Sequence, residues 1–256
     1  MESLVALEGL HAVKHAVRFG ATLTDILTSD LDKALTTANV LAPDLRPLLE
    51  QRARVVTPAE LRERASGPVH TGVLAYARPP AWTLADALPR AGHQPCPPGP
   101  QPCPSAGPTI LLDDPRNSKN LGAVIRVAAA TGAAGVLVHG PASVTDPAAV
   151  RGAAGLQWAV PCWGSPTLLA ELDAVRTQTP FTLVGLDADG TTFDPAAGPG
   201  PTIFAFGSER TGLSEEVRTR CDAIVALPMR AHVSSLNLAT AVAAVTYLRL
   251  YARVEK

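Results

Sequence analysis

Short apolar stretches alternate with helical patterns through the second half of the chain, and this alternation restricts the possible folds more than any other feature. The stretches are TILLD (109–113), GVLVHG (135–140), FTLVGLD (181–187), TIFAFG (202–207) and AIVALPM (223–229). Strands that are apolar on both faces and separated by helices are typical of a parallel sheet with helices on both faces. We therefore predict an α/β fold whose ligands bind beyond the carboxyl ends of the strands.

A proline-rich segment over residues 89–108 divides the chain. It contains eight prolines and no periodic apolar pattern, so it can continue neither a helix nor a central strand. We predict an extended, mobile linker between a small α/β module (1–88) and a larger domain (109–256). In the small module, the pattern predicts a helix over 7–20, followed by alternating strands and helices.

Composition excludes a strongly basic protein. The 256 residues carry a formal net charge of −1, with 46% hydrophobic and 18% charged residues, which is typical of a folded globular chain. A nucleic acid partner would need a local positive patch, and the best candidate is an arginine cluster in the first module, diluted by nearby glutamates. The favoured interpretation of this cluster is an ordinary solvated face; it comprises Arg46, Arg52, Arg54, Arg62 and Arg64.

The cysteines and the N-terminus point to a cytoplasmic protein. The four cysteines show neither C-x-x-C spacing nor paired histidines, so we expect no metal site and no disulfide framework. The first residues lack the features of a signal peptide. Residues 127–145 carry no acidic or basic side chain, but their glycines and Pro141 predict a helix, a turn and a buried strand rather than a membrane span.

Two junctions after strands concentrate polar residues. After the strand at 109–113, Asn120 is predicted to cap a helix from about Leu121 to Ala130. Arg126 then lies within an otherwise aliphatic helix, where it must reach either solvent or an anion. After the strand at 202–207, Gly207 and Glu209 begin a second polar loop.

The third junction is MRAHVSSLNLATAV, residues 229–242. We predict that the last helix runs from Ser235 to about Arg253, with the Ser235 hydroxyl as its cap. A cap does not explain Asn237, a poor helix former with several hydrogen-bonding positions to satisfy. We therefore predict that Ser234, Ser235 and Asn237 line a pocket. None of the junctions has the G-x-G-x-x-G pattern of dinucleotide folds.

Three segments together resemble the motifs of a known family. NLGAVIRVAAATGAAGVLV, FAFGSERTGL and LPMRAHVSSLNLATAVAAV, in this order and spacing, resemble the motifs of the SpoU/TrmH family of RNA ribose 2′-O-methyltransferases, within the SPOUT superfamily. The resemblance covers residues 109–253. The first module, with GLHAVKHAV and HTGVLAYA, resembles the small RNA-binding domain, similar to a ribosomal-protein fold, that several members carry.

The resemblance implies a trefoil knot in the C-terminal domain, a homodimer that completes each active site, S-adenosylmethionine as cofactor and RNA as substrate, without a metal. It implies catalytic roles for Asn120, Arg126, Glu209, Ser235 and Asn237. It implies that the cofactor contacts Gly207, Leu227, Met229, Ser235 and Leu236.

Several alternatives stay open at this point. Ribosomal RNA is favoured over transfer RNA as the substrate, but the target nucleotide is not defined. Arg126 is either a general base or, as we favour, an electrostatic stabiliser, since a guanidinium remains protonated in proteins. A non-catalytic RNA-binding protein and an NAD-dependent oxidoreductase are the rival functions.

Overall fold

A computed structural model describes residues 4–90, 107–198 and 200–254 of the chain. The first module contains a four-stranded sheet in the order β1-β4-β2-β3, in which only β2 and β3 are parallel. Its elements are β1 (Val5–Glu8), α1 (Leu10–Arg18), β2 (Leu23–Thr28), α2 (Leu31–Leu41), α3 (Arg46–Arg52), β3 (Ala53–Val55), α4 (Pro58–Arg64) and β4 (Val73–Ala77).

The predicted helix over 7–20 is wrong at its start. Val5–Glu8 forms strand β1, whose residues alternate between buried and half-buried positions as they pair with β4. Gly9, with φ of 96°, turns the chain between β1 and α1, so the helical pattern begins only at Leu10. Helix α2, which the pattern did not single out, is capped by the Asp30 side chain.

The second domain is the predicted parallel α/β structure. Its sheet has the order β10-β8-β9-β5-β6-β7, and all of its pairings are parallel. Its elements are α5 (Leu84–Ala87), β5 (Thr109–Asp113), α6 (Ser118–Thr131), β6 (Gly135–His139), α7 (Pro147–Ala153), β7 (Cys162–Gly164), α8 (Leu168–Arg176), β8 (Thr182–Thr192), β9 (Thr202–Phe206), α9 (Glu215–Arg218), β10 (Ala223–Ala226) and α10 (Leu238–Val254).

Both faces of this sheet are covered by helices, as the apolar strands predicted. Along β5, Ile110 and Leu112 pack with α6, α7 and α10 on one face, whereas Leu111 packs with α5 and α8 on the other. All three leucine and isoleucine side chains are fully buried. Because α5 lies against the second sheet, the described backbone crosses to this sheet before residue 89.

Several predicted boundaries change. Helix α6 begins at Ser118 with Asn117 as its cap, so the prediction that Asn120 caps it is wrong. Helix α7 and strand β7 were not predicted, because both segments are short and α7 is rich in small residues. Residues 127–145 form the end of α6, a turn and β6, as expected. Across the described ranges, no helix is long and apolar enough to cross a bilayer. Residues 91–106 of the predicted linker lie outside the described residues.

The two modules pack directly against each other. Val150 and Trp158 of the second domain join the apolar cluster of the first module. The Arg151 guanidinium donates to the buried Glu8 carboxylate at 2.8 Å. His15 Nδ1 lies 2.9 Å from the Ala154 carbonyl oxygen, and because a carbonyl only accepts, this nitrogen carries a hydrogen. Apolar packing and two hydrogen bonds therefore fix the position of the first module on the second domain.

Two close glycine contacts set the distances between three helices. A Cβ on Gly155 would lie 2.3 Å from the Ala12 carbonyl oxygen of α1, and a Cβ on Gly122 of α6 would lie 2.3 Å from the Ala149 carbonyl oxygen of α7. Both distances are far below a van der Waals contact, so only glycine allows these backbones to approach. Through these contacts α1 and α6 are held by the same segment, α7 and the turn that follows it.

Replacing Gly155 tests this docking. Gly155 has φ of 75° and Gly20 has φ of 85°, but nothing lies within 4 Å of a Cβ on Gly20. Both alanine variants strain the backbone, whereas only Gly155→Ala also collides with α1. We expect Gly155→Ala to lower the free energy of unfolding by about 1–3 kcal/mol more than Gly20→Ala, as measured by urea denaturation. Equal losses in the two variants would contradict the close contact.

Candidate active site

A cleft of about 690 Å³ opens at the carboxyl ends of β9 and β10, beside the middle of β8. Three segments form its walls: residues 186–188 of β8, where its pairing with β9 ends, the turn at 207–212, and the loop at 227–237 with the start of α10. This is the edge at which parallel α/β sheets bind their ligands. The five residues that the sequence assigned to the cofactor all line this cleft: Gly207, Leu227, Met229, Ser235 and Leu236.

The turn after β9 is closed on itself. The backbone groups of Ser208 and Gly212 exchange two hydrogen bonds of 3.0 and 3.1 Å. The Ser208 hydroxyl bonds to that of Thr211 at 2.7 Å. A Cβ on Gly207 would lie 1.9 Å from the carbonyl carbon of Gly212, so glycine is required where the strand leaves the sheet. The turn thus presents backbone and Glu209 to the cleft in a fixed arrangement.

Asn237, rather than Ser235, caps the last helix. Its Oδ1 accepts hydrogen bonds from the backbone N–H groups of Ala239 and Thr240 at 3.0 and 3.4 Å. The prediction that the helix begins at Ser235 is therefore wrong: α10 begins at Leu238. Ser234 and Ser235 remain in the exposed loop, and within the described ranges neither hydroxyl has a hydrogen-bond partner.

A chain of side-chain amides connects all three junctions. Asn237 Nδ2 donates to Asn120 Oδ1 at 3.2 Å, and Asn120 Nδ2 donates to the Glu209 carboxylate at 2.6 Å. The backbone N–H of Arg116 also donates to this carboxylate, at 3.4 Å. A carboxylate can only accept, and the backbone N–H groups at the start of α10 can only donate, so both amide orientations follow from their partners. The three residues therefore hold one another in place.

The sequence patterns did not single out two carboxylates in the middle of β8. Asp187 lines the cleft, and its Oδ2 accepts from Arg218 of α9 at 3.0 Å. Arg218 also donates to Asp189 at 2.6 Å, so its guanidinium holds the part of β8 that continues beyond its pairing with β9. The signal was available, because Asp187 ends the apolar stretch at 181–187, at the edge where ligands bind.

Arg126 does not line the cleft. It lies six residues after Asn120 on α6, about 9 Å along the helix axis, and its side chain is exposed. No hydrogen bond or ion pair joins its guanidinium to another residue in 4–90, 107–198 or 200–254. The structure therefore links Asn120, Glu209 and Asn237 directly, and places Arg126 farther along the same helix.

Helix α1 of the first module lies close to Arg126. The rings of His11 and His15 meet edge to face with centroids 4.4 Å apart. Partial burial lowers the pKa of His11, and the nearby His15, Lys14 and Arg126 lower it further. Partial burial also lowers the pKa of His15, against the opposing effect of its hydrogen bond to Ala154. Arg126 thus faces two histidines that are disposed to be neutral in the free protein.

Much of the arginine cluster proposed from the sequence is engaged within the first module. Arg46 pairs with Glu50 at 2.7 Å, and Arg54 pairs with Asp25 at 2.9 Å. Arg52 donates to the Leu23 carbonyl oxygen at 3.0 Å. Arg62 and Arg64 are exposed on α4, which packs on the face of the first sheet opposite α1. These contacts favour the interpretation of a solvated face.

Two thiols fall within the described residues. Burial raises the pKa of Cys162 to about 12, and burial together with Asp222 raises that of Cys221 to about 11. Both thiols therefore remain protonated at neutral pH and are poor nucleophiles. No group of three or more His, Cys, Asp or Glu side chains is arranged to hold a metal ion in the portion of the chain that the structure describes.

A parallel sheet with helices on both faces and a polar cleft at one edge is the arrangement of an α/β enzyme. Comparison with known proteins identifies the family. The profile of the SpoU rRNA Methylase family matches residues 107–247. A 23S rRNA (uridine(2479)-2′-O)-methyltransferase from Streptomyces viridochromogenes is 37% identical over 154 residues, which are 57% of this chain and 53% of that protein. An uncharacterized tRNA/rRNA methyltransferase from Mycolicibacterium vanbaalenii is 32% identical over 241 residues, which are 91% of this chain and 72% of the relative.

The fold is similar over nearly the whole chain. The SpoU methyltransferase AviRb from Streptomyces viridochromogenes, solved in complex with AdoMet, superposes with a TM-score of 0.77 at 27% identity, covering 98% of this chain and 91% of that one. The chain belongs to the SpoU rRNA methylase family. The family resemblance inferred from the three motifs is thereby confirmed, and the oxidoreductase alternative is wrong.

Substitutions at the start of α10 test the cap. Asn237→Ala removes the acceptor for two backbone N–H groups, so we expect it to lower the free energy of unfolding by about 1 kcal/mol. Asn237→Asp keeps the acceptor and should retain stability, although it cannot donate to Asn120. Ser235→Ala is the matched control and should change stability by less than about 0.5 kcal/mol. Urea denaturation measures all three, and a larger loss in Ser235→Ala than in Asn237→Ala would refute the assignment.

Proposed function

We propose that the protein transfers a methyl group from S-adenosylmethionine to a ribose 2′-hydroxyl of ribosomal RNA. The observation that carries the proposal is the hydrogen-bonded chain Asn237–Asn120–Glu209, which joins all three motif segments at the rim of one cleft. The proposed substrate is the one printed for the Streptomyces viridochromogenes relative, and the site of action would be the cytoplasm.

The cleft suits the proposed cofactor in shape and chemistry. Leu186, Phe206, Leu227 and Leu236 give it apolar walls for a flat ring, and Leu236 is 42% exposed there. The turn at Gly207 allows close approach of backbone, and the Ser235 hydroxyl is unpaired within the described ranges. S-adenosylmethionine supplies an activated methyl group on a sulfonium. Gly207, Leu227, Met229, Ser235 and Leu236 would hold it.

The chain's own residues would position the ribose. Methyl transfer needs the 2′-oxygen in line with the methyl carbon, and alignment alone can supply much of the rate enhancement. In our proposal, Asn120 and Asn237 orient the sugar while Glu209 fixes Asn120. Ser235, in the same loop as Asn237, contacts the reacting groups. As the O–CH3 bond forms and the S–CH3 bond of the sulfonium breaks, the hydroxyl proton passes to water. Arg126 binds an RNA phosphate and stabilises the negative charge that develops on the oxygen, rather than acting as a general base.

Transfer of tritium from labelled S-adenosylmethionine to RNA tests this function. We expect the wild-type protein to methylate an unmodified 23S rRNA transcript, with the label at a single 2′-O-methyl nucleotide located by resistance to alkaline hydrolysis. Arg126→Lys should keep measurable transfer, because lysine keeps the charge, whereas Arg126→Ala should lose at least about tenfold. Both variants should bind S-adenosylmethionine as the wild type does in calorimetry.

Other outcomes separate the alternatives. Transfer to a tRNA pool but not to 23S rRNA would replace the substrate, which the names of the Mycolicibacterium relatives also allow. Binding of RNA without uptake of S-adenosylmethionine would indicate a non-catalytic RNA-binding protein. Complete loss of transfer in Arg126→Lys, with both ligands still bound, would support a general base.

We also propose that the protein acts as a homodimer through α10, and that its C-terminal domain contains the trefoil knot that the family resemblance implies. Tyr247, Leu248 and Tyr251 are 41%, 46% and 65% exposed, and Leu250 is 38% exposed. At 100° per residue these four positions share one face of the helix. A contiguous apolar face of this kind is typical of an interface. The first residues of α10 line the cleft, so a second copy packed on this face would add to the surface beside the cleft.

Charge on this face should prevent association. We expect Leu248→Glu to shift the protein from dimer to monomer, because a carboxylate would be buried without a partner. Val40→Glu on α2 is the control, since Val40 is 79% exposed and belongs to the first module. Light scattering coupled to size-exclusion chromatography measures the mass. A dimer that persists in Leu248→Glu would place the interface elsewhere, and a monomeric wild type would end the proposal.

A further inference from the structure

The first turn of α1 presents an exposed histidine beside the candidate catalytic helix. His11 is the second residue of α1, and its side chain points to solvent on the module face that docks against the second domain. His15, one turn later, is fixed by its hydrogen bond to Ala154. Since the two rings are 4.4 Å apart, His15 also restricts the position of His11.

The docking contacts bring this histidine to Arg126. Gly155 holds α1 against the end of α7, and Gly122 holds α6 against α7 at backbone contact. Arg126 is near enough to His11 and His15 to act on both electrostatically. The charges that act on His11 come from His15 and Lys14 of α1 and Arg126 of α6, and all of them oppose its protonation. Two cations and two histidines that can become protonated, without a carboxylate among these neighbours, favour the binding of an anion.

We propose that His11 and Arg126 together bind one phosphate of the RNA substrate, so that the first module completes the RNA-contacting surface beside the methyl-transfer cleft. This inference rests on the proposed function for the identity of the polyanion. Asn120 and Arg126 lie about 9 Å apart along α6, so a phosphate at Arg126 would follow the ribose backbone away from the cleft. The docking of α1 then has a direct role in RNA binding.

The other cationic surface of the first module is less suited to this role. Arg46 and Arg54 are paired with carboxylates, and α4 with Arg62 lies on the opposite face of the first sheet. RNA bound there would lie across the module from Arg126. Arg62 therefore provides a control: an exposed cation of the same module on the face away from α6.

The proposal gives RNA binding a defined pH dependence. In the free protein the pKa of His11 is lowered by partial burial and by His15, Lys14 and Arg126. A bound phosphate favours the protonated imidazole and raises this pKa, so binding takes up a proton. Affinity for RNA should therefore rise as the pH falls through the His11 pKa of the complex. The effect should disappear when position 11 cannot be protonated.

Equilibrium binding of the unmodified 23S rRNA transcript by the full-length protein tests the proposal. We compare the wild type, His11→Gln and Arg62→Ala from pH 6 to pH 8 by filter binding. At pH 6, His11→Gln should bind about five- to tenfold more weakly than the wild type. Its slope of log affinity against log salt should be shallower by about 0.7 to 0.9, the value for one lost phosphate contact. At pH 8 the two proteins should bind alike, and Arg62→Ala should follow the wild type throughout.

The controls separate this inference from the proposed function. His11→Gln should retain the wild-type affinity for S-adenosylmethionine and the wild-type unfolding midpoint, since its side chain is exposed. If the wild type methylates the transcript while His11→Gln binds it with unchanged pH and salt dependence, the inference is wrong and the proposed function stands. If Arg62→Ala weakens binding and His11→Gln does not, the RNA lies on the α4 face. If the wild type takes up no S-adenosylmethionine, the proposed function fails, whatever position 11 does.

Discussion

Backbone contact between α6 and α7 is the constraint on which the rest of the structure depends. At Gly122, a single added carbon would lie 2.3 Å from the Ala149 carbonyl oxygen and 2.8 Å from the Ala153 nitrogen. This close approach fixes α6, whose first turn carries Asn120 into reach of Glu209 and Asn237. The same helix, fewer than two turns later, carries Arg126 towards the first module. One packing contact therefore sets the positions of groups that belong to two different surfaces.

The cleft and the surface at Arg126 differ in how their polar groups are satisfied. Around Glu209 the polar side chains bond to one another, so the site is organised before any ligand arrives, which lowers the cost of binding in a defined orientation. The serine hydroxyls of the 229–237 loop and the Arg126 guanidinium have no such partners within the described part of the chain. In the proposed reaction, the hydrogen-bonded groups would orient one substrate while the unpaired donors remain free to bind the other.

The sequence could predict which segments meet, but not which of their residues cap a helix and which bond to the neighbouring segment. Parallel strands end at one edge of the sheet, so the motif residues after β5, β9 and β10 had to lie close together. The pattern could not select the cap of either helix, because each offers two acceptable cap residues within three positions of each other. These are Asn117 and Asn120 for α6, and Ser235 and Asn237 for α10. Only the three-dimensional structure shows that the Asn237 side chain both caps α10 and donates to Asn120.

The docking of the modules could not be predicted for a different reason. Its contacts join residues far apart in the chain, such as His15 with Ala154 and Glu8 with Arg151, and none of them has a local pattern. Composition indicated a proline-rich connection, which says how the modules are tethered but not how they pack.

The docking also explains an arginine in an otherwise aliphatic helix. Arg126 lies between a face of α6 that is buried by α7 and α10 and a surface completed by α1, so its guanidinium remains in solvent while its helix is packed. Among the described residues it lies near histidines and a lysine, none of them a carboxylate, so no described carboxylate neutralises it and it remains available to an anion. An arginine that acts as a general base must first lose its own proton to a partner. An arginine that binds an anion needs only the absence of a competing carboxylate. The surroundings of Arg126 match the second requirement, and in our proposal the first module belongs to the same anion-binding site.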